Sequence, residues 1–272
     1  MKKISHGGNI YKKAKEMGIR EEDILDFSAN ISPLGLPEHI RKAMIEAIDG
    51  TINYPDPDCS RLKEAISKQD NVPESHITCG NGGADLLYRL AFGLHPKKVL
   101  LPAPAFVEYE EALSAAGAQM EYYLMRDDFV IKEDILEQIT EETDFVVICN
   151  PNNPTGILTE KELILRVLER AKETNTFVMA DECFLEICQN ESEYTVKPFI
   201  EKYENLIILK SFTKLYAIPG VRLGYILAGS EDVIAKVNRT GQAWSVSHIA
   251  QCAGVAALSD NVYKERGIET GA

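Results

Sequence analysis

Residues 144–156 read DFVVICNPNNPTG. A short run as uniformly apolar as Phe145–Cys149 is what a strand buried on both faces looks like, because a strand with one solvated face alternates. The NPNNPTG that follows is a turn by composition: proline fixes φ and glycine frees it. Similar strand-like runs recur on both sides: ILDFS (24–28), HITC (76–79), KVLL (98–101), MEYYL (120–124), TFVMAD (176–181), LIILKS (206–211) and GYILAG (224–229). Between them lie amphipathic stretches, PEHIRKAMIEAI (37–48), SRLKEAISK (60–68), ADLLYRLAFGL (84–94), FVEYEEALSAAG (106–117) and TEKELILRVLERAKE (159–173). The last opens with Thr159 and has Glu162 three residues on, the signature of a capping box. Strand–helix alternation predicts an α/β fold, a three-layer α-β-α sandwich around a mainly parallel sheet. Ligands of such sheets bind beyond the carboxyl ends of the strands. That rule points to the loops NPNNPTG, DECF (181–184) and SFTK (211–214).

The bulk properties narrow the class. The chain has 272 residues and a net charge of -13. So acidic a protein has no electrostatic reason to bind nucleic acid or an anionic membrane surface. Its apolar runs are too short to span a bilayer, and the opening MKKISHGGN has no apolar stretch after its lysines, so it does not read as a signal peptide. Six cysteines (59, 79, 149, 183, 188 and 252) form no CxxC pair. Reduced, mostly buried thiols in a cytoplasmic protein are the simplest reading.

The loops carry residues with chemical potential. Lys214, flanked by hydroxyls after a buried strand, is placed to form an imine; a desolvated ε-amine becomes nucleophilic. Ser211 and Thr213 can hydrogen-bond a phosphate, and Arg222 can pair with it. Taken alone, Lys214 also reads as a surface charge, and SxxK occurs in penicillin-binding proteins and β-lactamases. Asp181 ends an apolar strand, as a helix cap, a cation partner, or the carboxylate that keeps a cofactor's ring nitrogen protonated. Cys79-Gly-Asn-Gly-Gly-Ala-Asp85 follows a strand and opens a helix, where backbone N–H groups favour an anion. It lacks both the P-loop Lys-Ser/Thr and dinucleotide spacing.

Together, Gly80–Asp85, Asn153-Pro-Thr-Gly156, Asp181-Glu182 and Ser211-x-x-Lys214 with Arg222 resemble the motif series of fold-type I pyridoxal 5′-phosphate (PLP) enzymes, the aminotransferase class I/II family. The nearest branch is that of L-threonine-O-3-phosphate decarboxylase and histidinol-phosphate aminotransferase. The resemblance implies that Lys214 carries the cofactor and that Asp181 binds its pyridine nitrogen. It implies that Asn153 holds the phenolic oxygen and also faces the substrate, and that Phe106 stacks on the ring. Gly83, Ala84, Ser211, Thr213 and Arg222 would cup the phosphate. Tyr54 would reach a neighbouring subunit's phosphate, making the protein a homodimer.

Three features favour decarboxylation over transamination within this resemblance. The opening SHGGNIYKKAKEMGI (5–19) and LDFSANISPLG (25–35) resembles decarboxylase segments that contact substrate, which maps to His6, Gly7 and Asn30. Phe184 stands where aminotransferases of this group usually carry a tyrosine. QAWSVSHIAQCAGVAAL (242–258) resembles a segment of the same branch. The function implied is decarboxylation of L-threonine-O-3-phosphate to aminopropanol phosphate for cobalamin synthesis. The alternatives are histidinol-phosphate aminotransferase, or a PLP-binding chain with little turnover. The expected layout is an N-terminal arm over 1–30, a PLP-binding large domain over 31–229, and over 230–272 the start of a C-terminal small domain of roughly 100 residues that is otherwise largely absent. The expectation is therefore that the helix 247–258 has little to pack against and that KERGIETGA is a polar tail.

Overall fold

The computed structural model describes residues 7–271. Seven strands, β1 (Ile77–Gly80), β2 (Lys98–Ala103), β3 (Gln119–Leu124), β4 (Phe145–Cys149), β5 (Phe177–Asp181), β6 (Leu206–Ser211) and β7 (Gly224–Ala228), form one sheet in the order β1-β7-β6-β5-β4-β2-β3. Strands β2 to β6 pair parallel, while β7 runs antiparallel to both β1 and β6. The α-helices are α1 (Ile10–Met17), α2 (Glu38–Glu46), α3 (Ser60–Asp70), α4 (Gly83–Leu94), α5 (Val107–Ala115), α6 (Ile135–Gln138), α7 (Lys161–Glu173), α8 (Glu191–Tyr194), α9 (Glu231–Thr240), α10 (His248–Ala257) and α11 (Asn261–Gly271).

Period-two alternation divides the core into two layers. Phe145, Val147, Cys149, Met179, Ile207 and Leu209 point to one face, where Leu86, Leu90, Tyr109, Ala112, Val233 and Val237 of α4, α5 and α9 cover them. Val146, Ile148, Val178, Ala180, Leu206 and Ile208 point to the other, under Leu62, Ile66, Ile164, Leu168 and Ala253 of α3, α7 and α10. This is the expected three-layer sandwich. Strands β4, β6 and β7 are buried along their whole length, whereas edge strand β3 is partly exposed.

Four local expectations change. ILDFS forms no strand: Leu25 and Phe27 are 82% and 84% exposed. Asp26 Oδ1 instead accepts bonds from Ser28 N and Oγ at 2.8 and 2.6 Å, a side-chain turn that competes with pairing. The capping box at Thr159 is not made. Helix α7 starts at Lys161 with no side-chain cap, and the Thr159 backbone is held at both N and O by the Asn150 side chain. Helix α10 is not left uncovered: Ala250, Gln251, Ala253, Gly254 and Ala257 are buried, and it packs on α2 and α3. Small residues permit this approach, since a Cβ at Gly254 would lie 2.7 Å from Leu62 Cδ1 of α3. Finally, KERGIETG belongs to helix α11 rather than to an irregular tail, anchored by Tyr263, which is buried and donates to Gly35 O at 2.7 Å.

Candidate active site

The pocket lies at the carboxyl ends of β4, β5 and β6, against the N-terminus of α4. It is lined by Gly83, Ala84, Phe106, Asn153, Asp181, Ser211, Thr213, Lys214 and Arg222, together with Leu87, Tyr109, Cys149, Cys183, Phe184 and Leu209. Segments far apart in sequence thus place their candidate cofactor residues around one cavity.

One end suits an anion. Helix α4 begins after Gly82 with no side-chain cap, so N–H groups of its first turn are available to a ligand. Gly82 has φ +86°, and a Cβ there would lie 2.4 Å from Arg222 Nη2, so only glycine admits the guanidinium this close. Arg222 is itself anchored by Nη1 donating to Pro219 O at 3.0 Å. Ser211 Oγ and Thr213 Oγ1 lie 2.8 Å apart, and Thr213 N donates to Ser211 Oγ at 3.2 Å, which sets both hydroxyls beside the helix end.

Deeper in the pocket Asp181 is buried and held from two sides. Tyr109 OH donates to Oδ2 at 2.6 Å, and Cys183 N donates to Oδ1 at 2.9 Å. Burial, then the adjacent Asp181 charge, pushes the Tyr109 phenol far above its ordinary pKa, so it remains a donor. Tyr109 was not singled out in the sequence. The available signal was its place one helical turn after Phe106, the i,i+3 spacing that brings two side chains to one face; their rings pack edge to face at 5.6 Å. Cys149 and Cys183 were also missed as pocket residues, and burial raises both thiols. They therefore line the pocket as neutral, inert groups.

Lys214 sits between the two ends. Burial lowers its pKa and the Arg222 charge lowers it further, against the pull of the Asp181 carboxylate. Its Nζ lies 5.2 Å from the centroid of the Phe184 ring. Its carbonyl accepts from Ser32 N at 3.0 Å, tying the N-terminal segment to the lysine loop. The 150–156 loop is stiffened by Asn152 Nδ2, which donates to Pro104 O and Thr155 Oγ1. This sets the adjacent Asn153 in the pocket wall.

The remaining candidates lie elsewhere. Asn30 lines an adjoining pocket with Ile31, Pro33, Pro151 and Ile187, and Asn153 and Phe184 belong to both. Gly7 packs on the Asp26–Ser28 turn, where a Cβ would lie 2.0 Å from Ser28 O. His6 lies outside the described residues. Tyr54 is outside this chain's own pocket, 78% exposed and stacked on Trp244 at 4.3 Å.

A ring-bearing cofactor phosphate fits these residues. A fixed carboxylate at one end, an anion cradle that a Cβ on Gly82 would fill at the other, and an amine of lowered pKa between them match its three functional parts. Residues 22–269 match the family described as aminotransferase class I and II. Threonine-phosphate decarboxylase of Salmonella typhimurium is 36% identical over 96% of this chain and 72% of its own length. Histidinol-phosphate aminotransferase 2 of Ralstonia nicotianae is 34% identical over 98% of this chain and 71% of its own length. The crystal structure of the histidinol-phosphate aminotransferase from Clostridium acetobutylicum superposes with a TM-score of 0.84 at 30% identity, covering 90% of this chain and 73% of that one. The chain belongs to the aminotransferase class I and II family and is a PLP-dependent enzyme.

Proposed function

We propose that this enzyme acts on a phosphorylated amino acid and decarboxylates L-threonine-O-3-phosphate to aminopropanol phosphate, a reaction of cobalamin synthesis. The observation that carries this reading is Phe184, whose ring faces Lys214 Nζ and lines both the cofactor pocket and the adjoining one. Beside it, Ile31, Pro33, Pro151 and Ile187 give the adjoining pocket an apolar wall. A carboxylate placed against such a wall loses hydration, and leaving as neutral CO2 relieves that cost. The Salmonella relative's activity supports the same reading.

The chain's residues divide the work. When bound, PLP supplies the electron sink into which a bond at the substrate's α-carbon breaks. Asp181, oriented by Tyr109 and Cys183 N–H, would keep the proton on the ring nitrogen. Arg222, Ser211, Thr213 and the start of α4 would bind the cofactor phosphate, and Phe106 would hold the ring. Lys214 would hold the cofactor through Nζ and, once free of it, would carry the proton that replaces CO2 on the substrate's α-carbon. Asn30 and Gly7 contribute to the substrate side.

The second reading, histidinol-phosphate aminotransferase, is favoured by the Ralstonia and Clostridium proteins at comparable identity. Supplying each substrate separates the two. Release of CO2 from threonine phosphate without added oxo acid is expected; amino transfer from histidinol phosphate that requires 2-oxoglutarate would overturn the decarboxylase reading. We also propose a homodimer, supported by the exposed Tyr54–Trp244 stack and by exposed Leu25, Phe27, Ile48 and Ile52. Sedimentation equilibrium showing a monomer at micromolar concentration would refute it.

A further inference from the structure

On the other side of the sheet from the pocket, the ends of β5 and β6 bury a charge cluster. Lys210 has no exposed surface and lies 3.8, 3.5 and 3.5 Å from carboxylate oxygens of Glu182, Glu186 and Glu191. Glu182 is held by Thr195 OH at 2.8 Å and Val196 N at 2.9 Å. Lys264 of α11 joins from outside, 3.7 Å from Glu186 and 3.4 Å from Glu191. At the cluster's edge Lys197 pairs with Asp70 at 2.7 Å, and Asp70 accepts from Tyr225 OH at 2.8 Å. The Tyr216 phenol, buried and held far above its ordinary pKa, stays neutral. Three ammonium groups thus face four carboxylates, and without Lys264 the ratio falls to two against four.

The acidic segment is the one that shapes the pocket. Phe184 lies between Glu182 and Glu186, and its ring faces Lys214. Helix α11 contacts the same region at successive turns. Tyr263 stacks on Tyr216 at 6.2 Å, and a Cβ at Gly267 would lie 2.7 Å from Leu215 Cδ1, next in sequence to Lys214. α11 also packs on the turn Leu185–Ile187.

We propose that Lys264 is a positioning residue for the cofactor pocket: by neutralising Glu186 and Glu191 it holds the Phe184 segment against Lys214. It lines neither pocket and acts through the segment it restrains. Removing a cation from a largely buried cluster leaves carboxylates to repel one another or to take up a proton. The inference rests on the Lys214 pocket being the cofactor site and not on which substrate is used.

The test is PLP affinity, read from the protein-bound absorbance band and quenching of Trp244 fluorescence, for wild type, K264M, K264R and K264M/E191Q at pH 6 and pH 8. In K264M the ratio of its Kd to that of wild type rises about tenfold at pH 8. It returns to within about twofold at pH 6, because the buried Glu182, whose carboxyl burial already pushes up, takes up the proton that restores the balance. K264R and the charge-balanced K264M/E191Q keep wild-type affinity at both pH values. Equal affinity of K264M and wild type at pH 8 overturns the proposal, as does a loss that neither low pH nor E191Q repairs, since that marks a packing role alone. If K264M does not fold, the double variant decides: wild-type affinity supports charge balance and weakened affinity refutes it. A wild-type protein that takes up no PLP would instead count against the pocket reading itself.

Discussion

The two sides of the sheet's carboxyl edge place similar residues in opposite states. On β5 and just beyond, Asp181 faces the pocket and Glu182 the charge cluster; at the end of β6, Ser211 faces the pocket and Lys210 the cluster. The two lysines of the SFTK region show the difference most clearly. Burial lowers the pKa of Lys214, with Arg222 as its cationic neighbour. Burial would also lower that of Lys210, but Glu186, Glu182 and Glu191 reverse the sign and hold it above the ordinary lysine value. Burial therefore does not decide whether a lysine is nucleophilic or structural; the charges that share its side of the sheet do. Strand alternation separates the two environments by one residue, so reactive groups stand on a fixed electrostatic base.

The largest expected effect tests the Lys214 side. Lys214→Ala is expected to lose the borohydride-fixed cofactor label on that peptide and to lower turnover by on the order of a thousand-fold or more. A label retained elsewhere at wild-type yield would break the contrast between the two lysines. On the other side, Lys210→Met leaves buried carboxylates without their central cation and is expected to cost about 3–5 kcal/mol in urea unfolding. An unchanged midpoint would show that the cluster is not a foundation.

Smaller effects sharpen the comparison. Tyr109→Phe removes the phenol that donates to Asp181 Oδ2. The expected cost is about 1–1.5 kcal/mol of cofactor affinity, roughly tenfold in Kd by absorbance titration, with little change in fold stability. The smallest effect is the pH dependence of the cofactor-free protein. Between its lowered folded pKa and the ordinary value, Lys214 binds a proton when unfolded but not when folded. Stability therefore rises with pH across that window, and Lys214→Met should abolish the rise. Cofactor attachment should accelerate across the approach to the lowered pKa, because only the neutral amine attacks. Both slopes are read by denaturation and stopped-flow absorbance at stepped pH. Identical denaturation slopes for wild type and Lys214→Met, or a wild-type attachment rate that does not change with pH, would refute the shift.

Much of the pocket was legible because its residues sit at strand ends and turns, where local sequence restricts the backbone. Gly82, Asn150–Gly156 and Lys214 each follow a strand recognisable by its apolar run, Asp181 ends one, and the parallel-sheet rule brings strand ends together. Tyr109 was not legible in this way. A tyrosine on an amphipathic helix looks the same whether it faces solvent or a buried carboxylate, and only the packing of α5 on the sheet decides. ILDFS failed for the related reason that a period-two apolar run does not name its partner strand, and Asp26 satisfied Ser28 locally instead.

The amino-acid sequence by itself determined the layer architecture, the strand positions apart from that segment, and the polar groups offered at the carboxyl edge, because periodicity and turn chemistry act within a few residues. Only the tertiary structure decided that Lys210 is locked among three glutamates, that α10 is buried against α2 and α3, and that α11 brings Lys264 to the glutamates behind the pocket. These outcomes depend on charges and surfaces contributed by segments distant in sequence, whose fields and contacts exist only once the chain has closed around them.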